Sequence, residues 1–170
     1  MTAEEYLTST YRPDCEYVNG HLLERNVGRK PHSHTQTFVL AWLWNRRHEF
    51  GCEPYVEQRI RVAVDRFRVP DVVVVRTPSP DEEVFTEPPY LCVEVMSPDD
   101  TMSSLQDRLD DYIGFGVANI WVIDPWKGHG WRIDTTGWHT VLDGFLRTVD
   151  GRIALPLGEV LPQAESDWPR

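Results

Sequence analysis

Asp71 and Glu94 are the two residues around which chemistry is most readily built. Asp71 stands inside the run VPDVVVV (69–75), and Glu94 interrupts YLCVEVMS (90–97). A carboxylate in an apolar strand costs several kcal/mol to desolvate, very roughly, unless it is paired or binds a cation. Two of them on consecutive strands suggest a shared cation. A structural explanation stands beside this one. Asp71 follows Pro70 and starts a strand, and Glu94 alternates outward into solvent.

The elements that must carry these carboxylates follow from periodicity. Thr2 and Glu5 form a capping-box pattern that opens a short helix. CEYVNGHLLERNV (15–27) reads as a hairpin about Asn19-Gly20, a pair that tolerates the two positive φ angles of a type I′ turn. Glu16 and Glu24 are expected to be exposed on it. Gly28 to Pro31 break the chain. From Ser33 or His34 to near Gly51, Phe38, Val39, Trp42 and Leu43 recur at helical spacing. That pattern predicts a core-packing helix with His32 and His34 at its N-terminus. Residues 55–64 alternate, with Val56, Gln58, Ile60, Val62 and Val64 on one face and Glu57, Arg59 and Arg61 on the other. This is the pattern of a half-buried strand. The run at 69–75 lacks alternation, as in a central strand covered on both faces.

Residues 77–89 hold four prolines and four acids and read as a solvated loop. Leu91 to Met96 is the next strand. A helix is expected over Thr101 to Phe115, capped by Asp99 or Asp100, with Leu105, Leu109, Tyr112 and Ile113 as its apolar stripe and glycines at its end. Asn119 to Ile123 then completes a strand–helix–strand unit, which implies a parallel pair. Trp121 on that strand is expected in the core. Trp131 to Ile133 and Trp138 to Leu142 read as hairpin strands. Ile153 to Leu155 and Val160-Leu161 are short apolar stretches.

Composition bounds the function. A chain of 170 residues, 41% hydrophobic with seven tryptophans, is expected to form one domain over 1–170. No apolar run reaches the roughly 20 residues that span a bilayer. The acidic start MTAEEYL does not resemble a signal peptide, so a cytoplasmic address is expected. Cys15, Cys52 and Cys92 lack the spacing of a disulfide framework or zinc site. A formal charge of −10 argues against nonspecific coating of nucleic acid. Arginine carries nearly all the positive charge, and two basic clusters form: Arg25, Arg29 and Lys30, then Arg59, Arg61, Arg66 and Arg68. The simplest role for each cluster is a solvated face.

The ordered set EYVNGHLL (16–23), His34, VPDVVVV (69–75), CVEVMSPDD (92–100), DRLDDYIGFGV (107–117) and IWVIDP (120–125) resembles the PD-(D/E)xK nuclease superfamily. More closely, it is similar to a family of small bacterial restriction-endonuclease-like proteins. The resemblance implies an α/β (α+β) core, a central mixed sheet flanked by helices, with an N-terminal β-hairpin. It implies a metal-dependent endonuclease hydrolysing DNA phosphodiester bonds, with Asp71 and Glu94 holding Mg²⁺ or Mn²⁺. The carbonyl of Val95 or Met96 would complete the shell, since hard cations take oxygen ligands. The superfamily's lysine is expected two residues after the glutamate, where Met96 stands. In the family the chain resembles, it is displaced onto the next helix, at the position of Arg108. Arginine keeps the charge and clamps phosphate but cannot readily transfer a proton. A salt bridge to Asp100, Asp107 or Asp111 is the structural alternative for Arg108. Glu57 is a further candidate metal ligand and Glu16 a possible third carboxylate. His34, Arg59 and Arg61 are candidates for substrate binding. A homodimer acting on DNA is the implied assembly. A degenerate nuclease fold that binds nucleic acid or protein without cleaving is the competing reading.

Overall fold

The capping box at Thr2 and Glu5 forms as expected and opens α1 (Ala3–Leu7). The computed structural model describes residues 1–26 and 28–163 of the chain. The hairpin follows as β1 (Cys15–Val18) and β2 (His21–Glu24), with Asn19 at φ 51° and Gly20 at φ 89° in the turn. Val27, the last residue of the expected hairpin run, lies outside the described residues.

The long helix α2 (Lys30–Asn45) begins earlier than Ser33. Pro31 sits in its first turn, where the missing N–H has no intrahelical partner to lose. This start resets its inner face. His32, Thr35, Val39 and Leu43 are buried, whereas Phe38 is 46% exposed. A short helix, α3 (Arg47–Phe50), ends at left-handed Gly51.

The expected single strand over 55–64 is two strands. β3 (Cys52–Val56) and β4 (Ile60–Ala63) are separated at Glu57, whose φ is 51°. The break lets one segment serve two sheets, because β3 pairs with β6 (Val72–Arg76) and β4 pairs with β5 (Arg66–Arg68). Period-two alternation passes through such a break without marking it. The loop over 77–89 is only partly solvated. Its Phe85 is buried and bridges to Ile60.

β7 (Leu91–Val95) leads into α4 (Met102–Phe115). The cap of α4 is Thr101 rather than Asp99 or Asp100, and its hydroxyl accepts the Ser104 N–H at 3.1 Å. Then come β8 (Asn119–Asp124) and the hairpin β9 (His129–Asp134) and β10 (Gly137–Thr140). The tail adds β11 (Phe145–Arg147), β12 (Ala154–Pro156) and α5 (Leu157–Val160).

Six strands form the central mixed sheet, in the order β10-β9-β8-β7-β6-β3, with β7 and β8 parallel and the other pairs antiparallel. One face packs Val72, Val74, Leu91, Val93 and Trp121 against α2 and the tail. The other packs Val73, Cys92 and Val122 against Leu105, Leu109 and Tyr112 of α4. The strands are therefore covered on both faces, which is why Val72 to Val75 are apolar without alternation. A second sheet, β2-β1-β5-β4, carries the N-terminal hairpin.

Leu43 and Phe38 separate the two assignments of the α2 face. Leu43→Ala is expected to lower unfolding free energy by about 2–5 kcal/mol in a urea titration. Phe38→Ala is expected to change it by no more than about 0.5 kcal/mol. Similar losses for both would return Phe38 to the core.

Candidate active site

β6 and β7 run antiparallel with Val72 opposite Val93. One step beyond that pair, the register sets Asp71 opposite Glu94. Both are buried, at 3% exposure. They line one cleft of about 400 Å³ with Arg108. The structure thus brings together the three residues that the resemblance made central.

Asp71 is held by three elements. Its Oδ2 accepts the Val95 N–H at 2.7 Å across the ladder. His32 Nε2, from the first turn of α2, lies 3.3 Å from the same oxygen. Arg25, just past β2, places a guanidinium nitrogen 2.9 Å from Oδ1. Burial pushes the pKa of Asp71 upward, but His32, Arg25 and the Val95 N–H outweigh it and hold it below the usual carboxylate range. His32 moves the other way. Burial disfavours its charge, yet Asp71 more than offsets this and raises its pKa.

Glu94 is served by α4. Arg108 and Tyr112 are four residues apart and so share one helix face. The Tyr112 hydroxyl donates to Glu94 Oε1 at 2.5 Å. Arg108 Nε lies 3.4 Å from Oε2, and among the described residues it has no hydrogen-bond partner. The guanidinium also reaches Asp100 at 3.3 Å, the salt bridge expected as its structural alternative. Asp100 in turn accepts the Ser97 N–H at 2.9 Å. Burial first, then the nearby Asp71 charge, push Glu94 up to about 7 despite Arg108 and Tyr112.

The remaining candidates fall elsewhere. Glu16 is buried, contrary to its expected exposure. It accepts from Arg68 at 2.6 Å and from the Val69 N–H at 3.0 Å. Arg68 also bonds Asp111 at 2.6 Å, so this network fastens the hairpin sheet to α4. Glu57 faces Arg25 at 3.3 Å, with its side chain about half exposed. His34 stacks on Phe38, one helical turn along α2, and it is His32 that meets Asp71. Arg59 pairs with Asp14 at 3.2 Å, and Arg61 donates to the Val64 carbonyl at 3.0 Å. His34, Arg59 and Arg61 do not line the cleft. Arg25 and Tyr112 were the partners that sequence reasoning missed, while His32 was expected at the helix N-terminus without a stated partner. Tyr112 carried a signal in its spacing from Arg108.

The donor set suits a hard divalent cation. Mg²⁺ keeps several waters and is commonly bound by one or two carboxylates plus substrate phosphate. Asp71 and Glu94 supply two carboxylates on adjacent strands, and Glu94 Oε2 faces a guanidinium N–H that forms no hydrogen bond with it. Among the described residues, no group of three or more His, Cys, Asp or Glu is arranged to hold a metal. Asp71 and Glu94 are the two side chains that would hold such an ion.

Residues 3–134 match the model of the Uma2 family, described as "Putative restriction endonuclease". The chain belongs to the Uma2 family. Its fold is similar to the crystal structure of a "putative nuclease belonging to DUF820" from Anabaena variabilis ATCC 29413, with a TM-score of 0.81 at 18% identity, covering 94% of this chain and 97% of that one. At that identity the likeness speaks to the fold, which is the restriction-endonuclease-like α/β core that the sequence implied. A weaker likeness, TM-score 0.44 at 14% identity, is to the cryo-electron-microscopy structure of a DrdV–DNA complex, covering 61% of this Uma2 chain and 9% of that chain. No curated protein matches the chain. Among the described residues no helix is long and apolar enough to cross a membrane.

The raised pKa of Glu94 fixes the sign of a pH effect. The folded state binds its proton more tightly than the unfolded state, so the resulting stability is present below the unfolded value of 4.5 and is lost as pH rises through about 7. Without divalent ions, Glu94→Gln is expected to gain melting temperature relative to wild type from about pH 4.5 to 7 and to hold that gain above 7. A difference independent of pH would show that Glu94 ionises normally.

Proposed function

We propose that this Uma2 protein is a Mg²⁺- or Mn²⁺-dependent endonuclease that hydrolyses DNA phosphodiester bonds. The observation that carries this reading is the pair of buried carboxylates, Asp71 and Glu94, set opposite each other in the lining of one cleft. The cleft lining supports a need for added cations. Glu16, Glu24, Asp71, Glu94, Asp99, Asp100 and Asp107 face Arg25, Arg68 and Arg108. A polyanion meets net repulsion there unless divalent ions enter with it.

When bound, such a cation polarises the scissile phosphate and lowers the pKa of its water. The protein's residues do the rest. Asp71 is kept ionised by Arg25, His32 and the Val95 N–H. Glu94 must lose its proton to serve as a ligand, and Tyr112 fixes the direction of its carboxylate. Arg108 stands beside Glu94 as a permanent charge that favours the extra negative charge of the transition state. It acts electrostatically, because its proton is not released.

A second reading is a degenerate scaffold that binds nucleic acid or protein. It is favoured by Met96 at the usual lysine position and by the donors already engaged on Asp71. A duplex cutter would profit from a two-fold dimer, which sedimentation would reveal as a species of twice 19.7 kDa.

Plasmid cleavage with Mn²⁺ tests the nuclease reading. Asp71→Asn and Glu94→Gln are expected to lose activity by at least about a hundredfold, about 2.7 kcal/mol of barrier. Arg108→Lys is expected to raise it, and at subsaturating Mn²⁺ the wild-type rate is expected to climb with pH up to about 7, because the ion must displace the Glu94 proton. Cleavage by both carboxylate variants at the wild-type rate would reject the assignment. Absence of cleavage in wild type and in Arg108→Lys would favour the scaffold.

A further inference from the structure

Arg25 joins the buried Asp71 of the cleft to a carboxylate outside it. Its guanidinium lies 2.9 Å from Asp71 Oδ1 and 3.3 Å from Glu57 Oε1. Its charge is opposed by burial but held by Asp71 first, then by Glu57, Glu94 and Glu16. It is therefore a cation standing in the field of the whole carboxylate set. With Arg108 beside Glu94, two guanidiniums bring to the pair the same charge that one divalent ion would bring.

Glu57 is built to receive Arg25. It occupies the break between β3 and β4 with a left-handed backbone, which is uncommon for a residue with a side chain. That backbone is pinned by the Glu57 N–H, which donates to the Asp71 carbonyl at 3.2 Å. The Gln36 amide of α2 spans the same two residues, donating to the Asp71 carbonyl at 3.1 Å and lying 3.4 Å from Glu57 Oε1. Asp71 is buried and Glu57 is about half exposed, so a guanidinium leaving Asp71 keeps a partner and gains water.

We propose that Arg25 is an internal competitor for the divalent cation: it neutralises Asp71 in the metal-free protein and withdraws onto Glu57 when the cation enters. This rests on the assignment of Asp71 and Glu94 as the metal pair. Arg25 is then a positioning residue that sets metal affinity, and Glu57 is its second seat rather than a metal ligand.

Calorimetric titration of Mn²⁺ into the full chain tests this directly. Arg25→Gln is expected to tighten binding about tenfold or more, since it removes a charge-assisted contact that the ion must displace. Glu57→Gln is expected to weaken it a few-fold, because Arg25 then has Asp71 alone. Arg29→Gln removes a nearby charge that pairs with exposed Asp99, and is expected to shift affinity less than about twofold. Asp71→Asn is expected to abolish binding. If wild type binds, Asp71→Asn does not, and Arg25→Gln binds no more tightly than wild type or Arg29→Gln, the competitor role is overturned while the metal site stands. If Arg25→Gln does not fold, unchanged affinity in Glu57→Gln overturns it equally. If neither wild type nor Arg25→Gln binds Mn²⁺, the competitor and the metal pair fall together.

Discussion

The site depends on two carboxylates placed side by side where β6 and β7 begin to part. At that spacing, in a buried setting, two negative charges cannot both persist without counter-charge. The structure supplies it asymmetrically. Asp71 receives Arg25, His32 and a backbone N–H, while Glu94 receives a neutral hydroxyl and a guanidinium that is not directed at it. One carboxylate is held ionised and the other is pushed up to about 7. A cation between them would remove the asymmetry.

That constraint explains why distant parts of the chain meet here. α2 brings His32 and Gln36, the residue past β2 brings Arg25, and α4 brings Arg108 and Tyr112. α4 does two jobs with one helix. Leu105, Leu109 and Tyr112 bury against the sheet, and the turn holding Arg108 opens toward the cleft. The buried Glu16–Arg68–Asp111 network keeps the hairpin sheet in register with α4. Breaking a buried network of this kind by removing one partner typically costs about 3–5 kcal/mol, so it is an anchor for the hairpin rather than a spare ligand set.

Much of this was legible in the sequence. The apolar runs and the α4 stripe placed Glu94 on β7 and Arg108 on α4, while Asp71, expected inside a strand over 69–75, stands one residue before β6. What periodicity could not see were changes that leave the pattern intact. The break at Glu57 preserves alternation while moving Arg59 and Arg61 toward Asp14 and Val64. Starting α2 at Lys30 rather than Ser33 exchanged His34 for His32 and turned Phe38 outward. Arg25 looked like part of a solvated basic cluster because its partners, Glu57 and Asp71, are far away in sequence. Long-range charge pairing has no local signature.

The most direct measurement of the central claim is anomalous scattering from crystals grown with Mn²⁺. A single strong peak between the Asp71 and Glu94 carboxylates is the expected result, and it would make the pair the metal centre. Saturating Mn²⁺ with no peak there, or with density only at the exposed carboxylate of Asp99, would contradict it and leave the buried pair as a structural element of the fold.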